Sequence, residues 1–370
     1  MERLQTILVD AVTEGQMPFS AGLVFTSDGV VWQGCAGDVA ERSVFRLYSM
    51  TKIVGALGTA LLVERGHLAW DAPVGDILPE FDALPVLDGW EGDTPLLRPQ
   101  ATKARFSDLA CHMSGSAYPL WHAGLMRYFK ERGERPPESG AAESWSVPLA
   151  SDPGATWAYG YGPDWLGLAI ERITGQKLPE FFAAEVFGPL GAESLSFTCD
   201  PKNPALAASF RRMPDGNISP FPAAPPVAPE VYGMGNALFG TLPDFAKLLS
   251  VVLRGRAPLL SAHNIAELLS PKTPHLPPMQ PQAWPSEKLE LPGPVTHTLA
   301  AMRTETDWPT GRAAGSLFWA GLLNSHYWID PKRGLGGIFA TQMLPFADQD
   351  FMRVYTRFET EVYEGFEQKS

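Results

Sequence analysis

A chain of 370 residues, 45% of them hydrophobic, has ample apolar content for a sizeable core in one large domain or two interleaved ones, which excludes an intrinsically disordered protein. The formal net charge of -12, with 29 basic residues scattered and no basic cluster, argues against nucleic acid or an anionic membrane as partner. Three widely separated cysteines, Cys35, Cys111 and Cys199, make neither a disulfide framework nor a Cys-x-x-Cys site, and they fit a reducing, cytoplasmic setting.

The first residues place Leu4, Ile7, Leu8, Ala11 and Val12 on one face, the spacing of an amphipathic helix. Acidic residues interrupt what a signal peptide would need as an unbroken apolar core, and no apolar run is long enough to span a bilayer. The period then changes: the short apolar runs Ala21 to Thr26 and Val30 to Gln33, around Ser27-Asp28-Gly29, predict a hairpin in an antiparallel sheet.

Next comes Phe45-Arg46-Leu47-Tyr48-Ser49-Met50-Thr51-Lys52, which holds the only Ser-x-x-Lys of the chain. Apolar residues at 53, 54, 57, 61 and 62 predict a helix from Thr51 to Arg65, with Ser49 at its N-terminal end and Lys52 one turn on, so that hydroxyl and amine share a face. A serine hydroxyl is a poor nucleophile until a neighbouring base takes its proton, and an uncharged lysine can be that base. Taken alone, the same pattern is more often a capping serine beside a solvated lysine.

Gly66 ends this helix, and residues 71 to 100, rich in Pro, Asp and Gly, read as an irregular surface excursion. A short helix and turn over Phe106 to Gly115 follow, then a helix from Leu125 to Arg132 and a loop over 133 to 140. The turn-rich stretch 152 to 164, with Tyr159 and Tyr161, leads into helical patterns at Trp165 to Thr174 and Leu178 to Phe187. Residues 200 to 230 read as a long connection that can border a cleft. Helices are expected at Leu242 to Leu253 and Ser261 to Leu269, and another irregular run from Pro271 to Pro294. Strand signals return at Ser316 to Leu322, Ser325 to Ile329 and Gly336 to Met343, and Phe351, Val354, Tyr355, Phe358 and Val362 mark one face of a last helix.

Strands at both chain ends and helices between predict an α+β fold, an α/β/α sandwich. Its antiparallel sheet comes from both termini and is covered by the first and last helices. Residues 1-70 with 295-370 form the sheet domain, 71-294 a mostly helical inserted domain, and the active site lies between them.

Gly-x-Ser-x-Gly, His-Glu-x-x-His, the Walker A loop and Gly-x-Gly-x-x-Gly are all absent. The seven histidines show no metal-ligand spacing, so neither metal nor cofactor is expected.

Taken together, the order of these segments resembles the serine β-lactamase and penicillin-binding protein superfamily, on the class C side, from about residue 20 to 365. Phe45 to Lys52 matches that family's first motif. Leu61 to Val74 resembles its run of helix, Gly, Leu, Asp, Pro and Val, and His112, Ser114 and Gly115 stand in register with its Leu-Leu-x-His-x-Ser-Gly segment. Pro153-Gly154, Tyr159 and Leu166-Gly167 match the region of the second motif, and Phe187 to Gly191 its Pro-Leu-Gly turn. Two departures stand out. Tyr159 is followed by Gly160 and Tyr161 where β-lactamases have Tyr-x-Asn, and Trp319-Ala320-Gly321 stands where they have Lys-Thr-Gly. Both look like the family VIII carboxylesterase branch.

The resemblance implies Ser49 as nucleophile, Lys52 and Tyr159 sharing its proton with the formal base unassigned, and an oxyanion site from the backbone N–H groups of Ser49 and Leu322. It places Trp319, Ala320, Gly321 and Tyr161 around the substrate, with Trp319 a flat apolar wall in place of a cation. The expected partner is a small-molecule neutral ester, with the oligomeric state open. A β-lactamase, D-aminopeptidase or amidase shares the acylation step and is the runner-up. A non-catalytic binding homologue would be expected to lose Ser49, Lys52 or Tyr159.

Overall fold

The computed structural model describes residues 2–133, 140–145, 147–222, 229–254, 259–274, 276 and 290–367. The chain opens with helix α1 (Glu2–Thr13) and the hairpin of β1 (Phe19–Thr26) and β2 (Gly29–Gly37). A short strand β3 (Phe45–Arg46) then leads through a 3-10 turn, Tyr48–Thr51, into α2 (Lys52–Glu64). Every residue of α2 from Lys52 to Leu62 is buried, which explains why its sequence is apolar all round rather than on one stripe.

The middle of the chain contains α3 (Pro79–Asp82), the hairpin β4 (Val86–Glu91) and β5 (Thr94–Arg98), α4 (Phe106–Ala110), α5 (Ala123–Arg132), α6 (Gly162–Thr174), α7 (Leu178–Phe182) and α8 (Gly188–Leu190). It continues with β6 (Phe210–Arg212), β7 (Ile218–Pro220), β8 (Phe239–Gly240), α9 (Leu242–Arg254) and α10 (Ala262–Leu269). The last part is β9 (Val295–His297), β10 (Met302–Thr304), β11 (Leu317–Gly321), β12 (Ser325–Asp330), β13 (Leu335–Ala340), β14 (Met343–Leu344) and α11 (Gln349–Glu367).

Among the described residues the main sheet has seven antiparallel strands in the order β2-β1-β13-β12-β11-β10-β9, so the two ends of the chain meet where β1 pairs with β13, Ala21 opposite Ala340. Helices α1 and α11 pack on each other, α1 against β1 and β2 and α11 against β13. Helix α9 packs against β1, β12 and β13, and α2 against α6. These are the layers of the expected α/β/α sandwich.

Three stretches are more ordered than their composition suggests. Residues 86–98 form a hairpin where an irregular excursion is expected, with Gly89 and Gly92 at positive φ at a bulge and at its turn. Part of 200–230 forms the pair β6–β7, with β14 alongside. Finally, β9 and β10, three residues each, extend the sheet past β11. The loop expected at 133–140 and the irregular run at 271–294 lie largely outside the described residues.

Candidate active site

Ser49 sits in the 3-10 turn, not in α2 itself. Tyr48 takes a left-handed conformation at φ 47°, and the turn is held by Thr51, whose Oγ1 donates to the Tyr48 carbonyl at 2.5 Å and accepts from Leu238 N at 3.1 Å. Lys52, the first residue of α2, is 5% exposed, and its Nζ donates to Ser49 Oγ at 3.0 Å and to the Gly235 carbonyl at 2.8 Å. Tyr159, in the loop before α6, lies across the same hydroxyl: Tyr159 Oη and Ser49 Oγ are 2.7 Å apart in a hydrogen bond. Either hydroxyl can be the donor, because hydroxyl protons rotate to suit their partners. The three residues predicted as the catalytic set therefore meet at one oxygen.

Behind Lys52 stands a residue that the sequence did not single out. Asp164, in the first turn of α6, is 2% exposed; its Oδ1 accepts from Gly235 N at 2.8 Å and its Oδ2 from Tyr118 Oη at 3.3 Å. Burial raises its pKa to about 6, with Lys52 and these donors pulling the other way. Gly235 is thus gripped from both sides, its N–H by Asp164 and its carbonyl by Lys52. A Cβ at this position would lie 2.5 Å from Asp164 Oδ2 and from Tyr118 Oη. The ammonium also sits over two rings, 5.0 Å from the Tyr118 centroid and 4.8 Å from that of Tyr159. In the sequence the only signals were a Pro-Asp pair at a helix start and a Gly-Met-Gly run.

Trp319 on β11 faces Tyr159 with ring centroids 5.3 Å apart. Its other neighbours are His112, stacked at 6.0 Å, and His297, edge-on at 5.4 Å. Both histidines are buried and held neutral: burial pushes His297 down to about 4, and it pushes His112 well below the ordinary range, with His297 and Lys52 adding to the effect. Trp319 is therefore backed by two uncharged rings. Gly321 brings β11 against the 3-10 turn, since a Cβ on it would lie 2.5 Å from the Leu47 carbonyl oxygen.

Ser49, Tyr159, Trp319, Ala320 and Leu322 all line one cleft of about 590 Å³, together with Tyr118, Trp121 and Asn236. Among the described residues the backbone N–H groups of Ser49 and Leu322 meet no protein acceptor. Tyr161, expected at the substrate, is placed elsewhere: it is buried behind Tyr118, 4.4 Å between ring centroids, and borders a separate small pocket with Asp164. No group of three or more His, Cys, Asp or Glu side chains among the described residues is arranged to hold a metal ion.

A family model described as Beta-lactamase matches residues 4–360. The acyltransferase calJ of Penicillium decumbens is 26% identical over 90% of this chain and 83% of its own. Lovastatin esterase of Penicillium rubens is 29% identical over 84% of this chain and 82% of its own. Among solved structures, unliganded simvastatin synthase (LovD) from Aspergillus terreus shares the fold with a TM-score of 0.86, at 23% identity, over 99% of this chain and 98% of that one. The chain belongs to the β-lactamase family.

Proposed function

We propose that the protein is a serine carboxylesterase that cleaves small to medium neutral esters through a covalent acyl-Ser49 intermediate. The observation that carries this reading is the Ser49 hydroxyl held 2.7 Å from Tyr159 Oη and 3.0 Å from Lys52 Nζ at the side of an apolar cleft. In this reading Ser49 Oγ attacks the ester carbonyl carbon while its proton passes to the Lys52–Tyr159 pair. The negative charge that develops on the carbonyl oxygen is met by the N–H groups of Ser49 and Leu322, and loss of one such donor typically costs about 10²–10³ in kcat. Collapse of the tetrahedral intermediate expels the alcohol, which takes the proton back from the pair. Water then attacks the acyl-enzyme and gives one proton to the same pair, which returns it to Ser49 Oγ as the acid is released. Residues 1-70 with 295-370 supply Ser49, Lys52 and Trp319, and 71-294 supplies Tyr159, Asp164 and Gly235, so the site uses both parts of the chain.

Trp319, an apolar ring in the cleft wall where β-lactamases carry a lysine, supports neutral esters over penicillins. The same wall supports a second reading, in which an alcohol rather than water takes the acyl group, as the names of the relatives suggest. The three cysteines are free, which supports a reducing, cytoplasmic location. The direct test compares kcat/KM for p-nitrophenyl butyrate and for nitrocefin. The ester is expected to be the better substrate; a larger value for nitrocefin would overturn the reading in favour of a β-lactamase. Adding a primary alcohol and analysing the products separates hydrolysis from transfer.

A further inference from the structure

The cleft at Ser49 does not end at Trp319. Successive side chains of β11 point to opposite faces of the sheet. Trp319 stands on the Tyr159 side, whereas Ala320 is paired with His326, whose ring packs against Phe351 and Tyr355 of α11 at 4.9 and 5.0 Å. Residues from both faces nevertheless line the same cavity. The cavity therefore passes around the strand, and the pairing explains how. β12 covers one edge of β11 along its length, but β10 pairs only with Leu317 and Phe318 and, among the described residues, leaves the edge of Trp319 to Gly321 uncovered by any strand.

Beyond that edge lies a second arm between the sheet and α11, lined by Phe318, His326, Phe346, Met352 and Thr356. Arg312, which also lines the cavity, is locked to Glu359 by two hydrogen bonds of 2.7 Å and donates a third, also 2.7 Å, to Tyr355 Oη. Burial, helped by Arg312, pushes His326 down to about 3, so the imidazole is neutral at any working pH. Met352 is half-buried and Thr356 exposed, so the arm opens outward between turns of α11. A cleft of this size suits a ligand much larger than a butyrate.

We propose that this second arm binds the long apolar part of the substrate: a neutral chain joined to the scissile ester crosses the uncovered edge of β11 and lodges between the sheet and α11, where Met352 and Thr356 set how much of it fits. The proposal rests on the esterase reading of Ser49 and adds a site on the far side of the strand, where that reading requires none.

The test measures kcat/KM for wild type, Met352→Trp and Thr356→Trp on two ester series. One keeps the p-nitrophenol leaving group and lengthens the acyl chain from acetate to dodecanoate; the other keeps butyrate and lengthens the alcohol from ethanol to dodecanol. Wild type is expected to favour long chains in one series, and that series names which half of the ester occupies the arm. In the same series both variants should lower the ratio of long-chain to short-chain kcat/KM by about tenfold or more, the scale on which pocket fit discriminates chain length. Thr356 is exposed, so its variant keeps the test decisive even where Met352→Trp folds poorly. Unchanged ratios in a folded Thr356→Trp protein, or equal losses on short and long esters, would overturn the arm while leaving the esterase reading intact. Absence of ester hydrolysis by wild type would overturn both.

Discussion

Lys52 has two acceptors, and only one of them, Ser49 Oγ, is the proposed nucleophile. The second, the Gly235 carbonyl, is fixed because Asp164 holds the N–H of the same residue, so the carboxylate positions the ammonium through one backbone unit. Its own protonation then carries a signature. The folded-state pKa of Asp164, about 6, is above the ordinary carboxyl value of 3.8, so between those pH values the folded protein binds more protons than the unfolded one. Stability contributed by this group is thus greatest below pH ~4 and falls as pH rises through 6, by ~3 kcal/mol in all. Asp164→Asn removes that dependence. Urea unfolding of wild type and variant at pH 4.5 and 7.5 should show the wild type losing ground to the variant at the higher pH; a parallel response would mean that Asp164 does not titrate in this range. Tyr159→Phe keeps the ring against Trp319 and removes only the hydroxyl at Ser49, so kcat should fall by about 10²–10⁴ with the fold intact by circular dichroism. The Ser49–Lys52 relation was legible in the sequence because it spans one turn. The Lys52–Gly235 contact spans 183 positions and leaves no local pattern. Tyr159 was found only through the family's segment order, and Asp164 not at all.

At the scale of elements, the site depends on how closely β11 approaches the 3-10 turn. Gly321 permits that approach, its α-carbon facing the Leu47 carbonyl with no room for a methyl group. Gly321→Ala should push the strand off the turn and separate Leu322 from Ser49. A misplacement of about 1 Å costs on the order of 100-fold, so kcat/KM should drop by about that factor while the melting temperature moves by only a few degrees. Undiminished activity would show that β11 does not help form the oxyanion site. Most elements were legible from apolar period alone, α11 and the hairpin β1–β2 above all. The hairpin β4–β5 was missed because Gly89, Gly92 and Pro95 read as punctuation, although glycines there supply a bulge and a turn within paired strands. Strands β9 and β10 are too short for alternation to register.

At the scale of the molecule, the sheet closes only when the two chain ends come together, and a buried ion pair ties the loop before β11 to the C-terminal helix. Arg312 and Glu359 are 0% and 2% exposed at their side chains. Removing one partner strands the other charge in the core, so Arg312→Met should cost about 3–5 kcal/mol in urea unfolding, and Arg312→Met with Glu359→Leu should recover much of it. Equal losses in the single and double variants would mean that the pair's role is packing rather than charge. This sandwich was legible because strand-like and helix-like periods segregate along the chain, ends against middle. The way the cleft wraps around β11 was not, because it depends on where β10 stops pairing.

The central claim is that Ser49 carries the acyl group. The most direct measurement treats wild type and Ser49→Ala with a p-nitrophenyl alkylphosphonate and maps the adduct by peptide mass spectrometry, alongside p-nitrophenyl butyrate hydrolysis. The account predicts one phosphonyl group on the peptide containing Ser49, none on the variant, and loss of nearly all ester hydrolysis with the serine. An adduct on another residue, or a Ser49→Ala protein that still hydrolyses the ester at the wild-type rate, would contradict it.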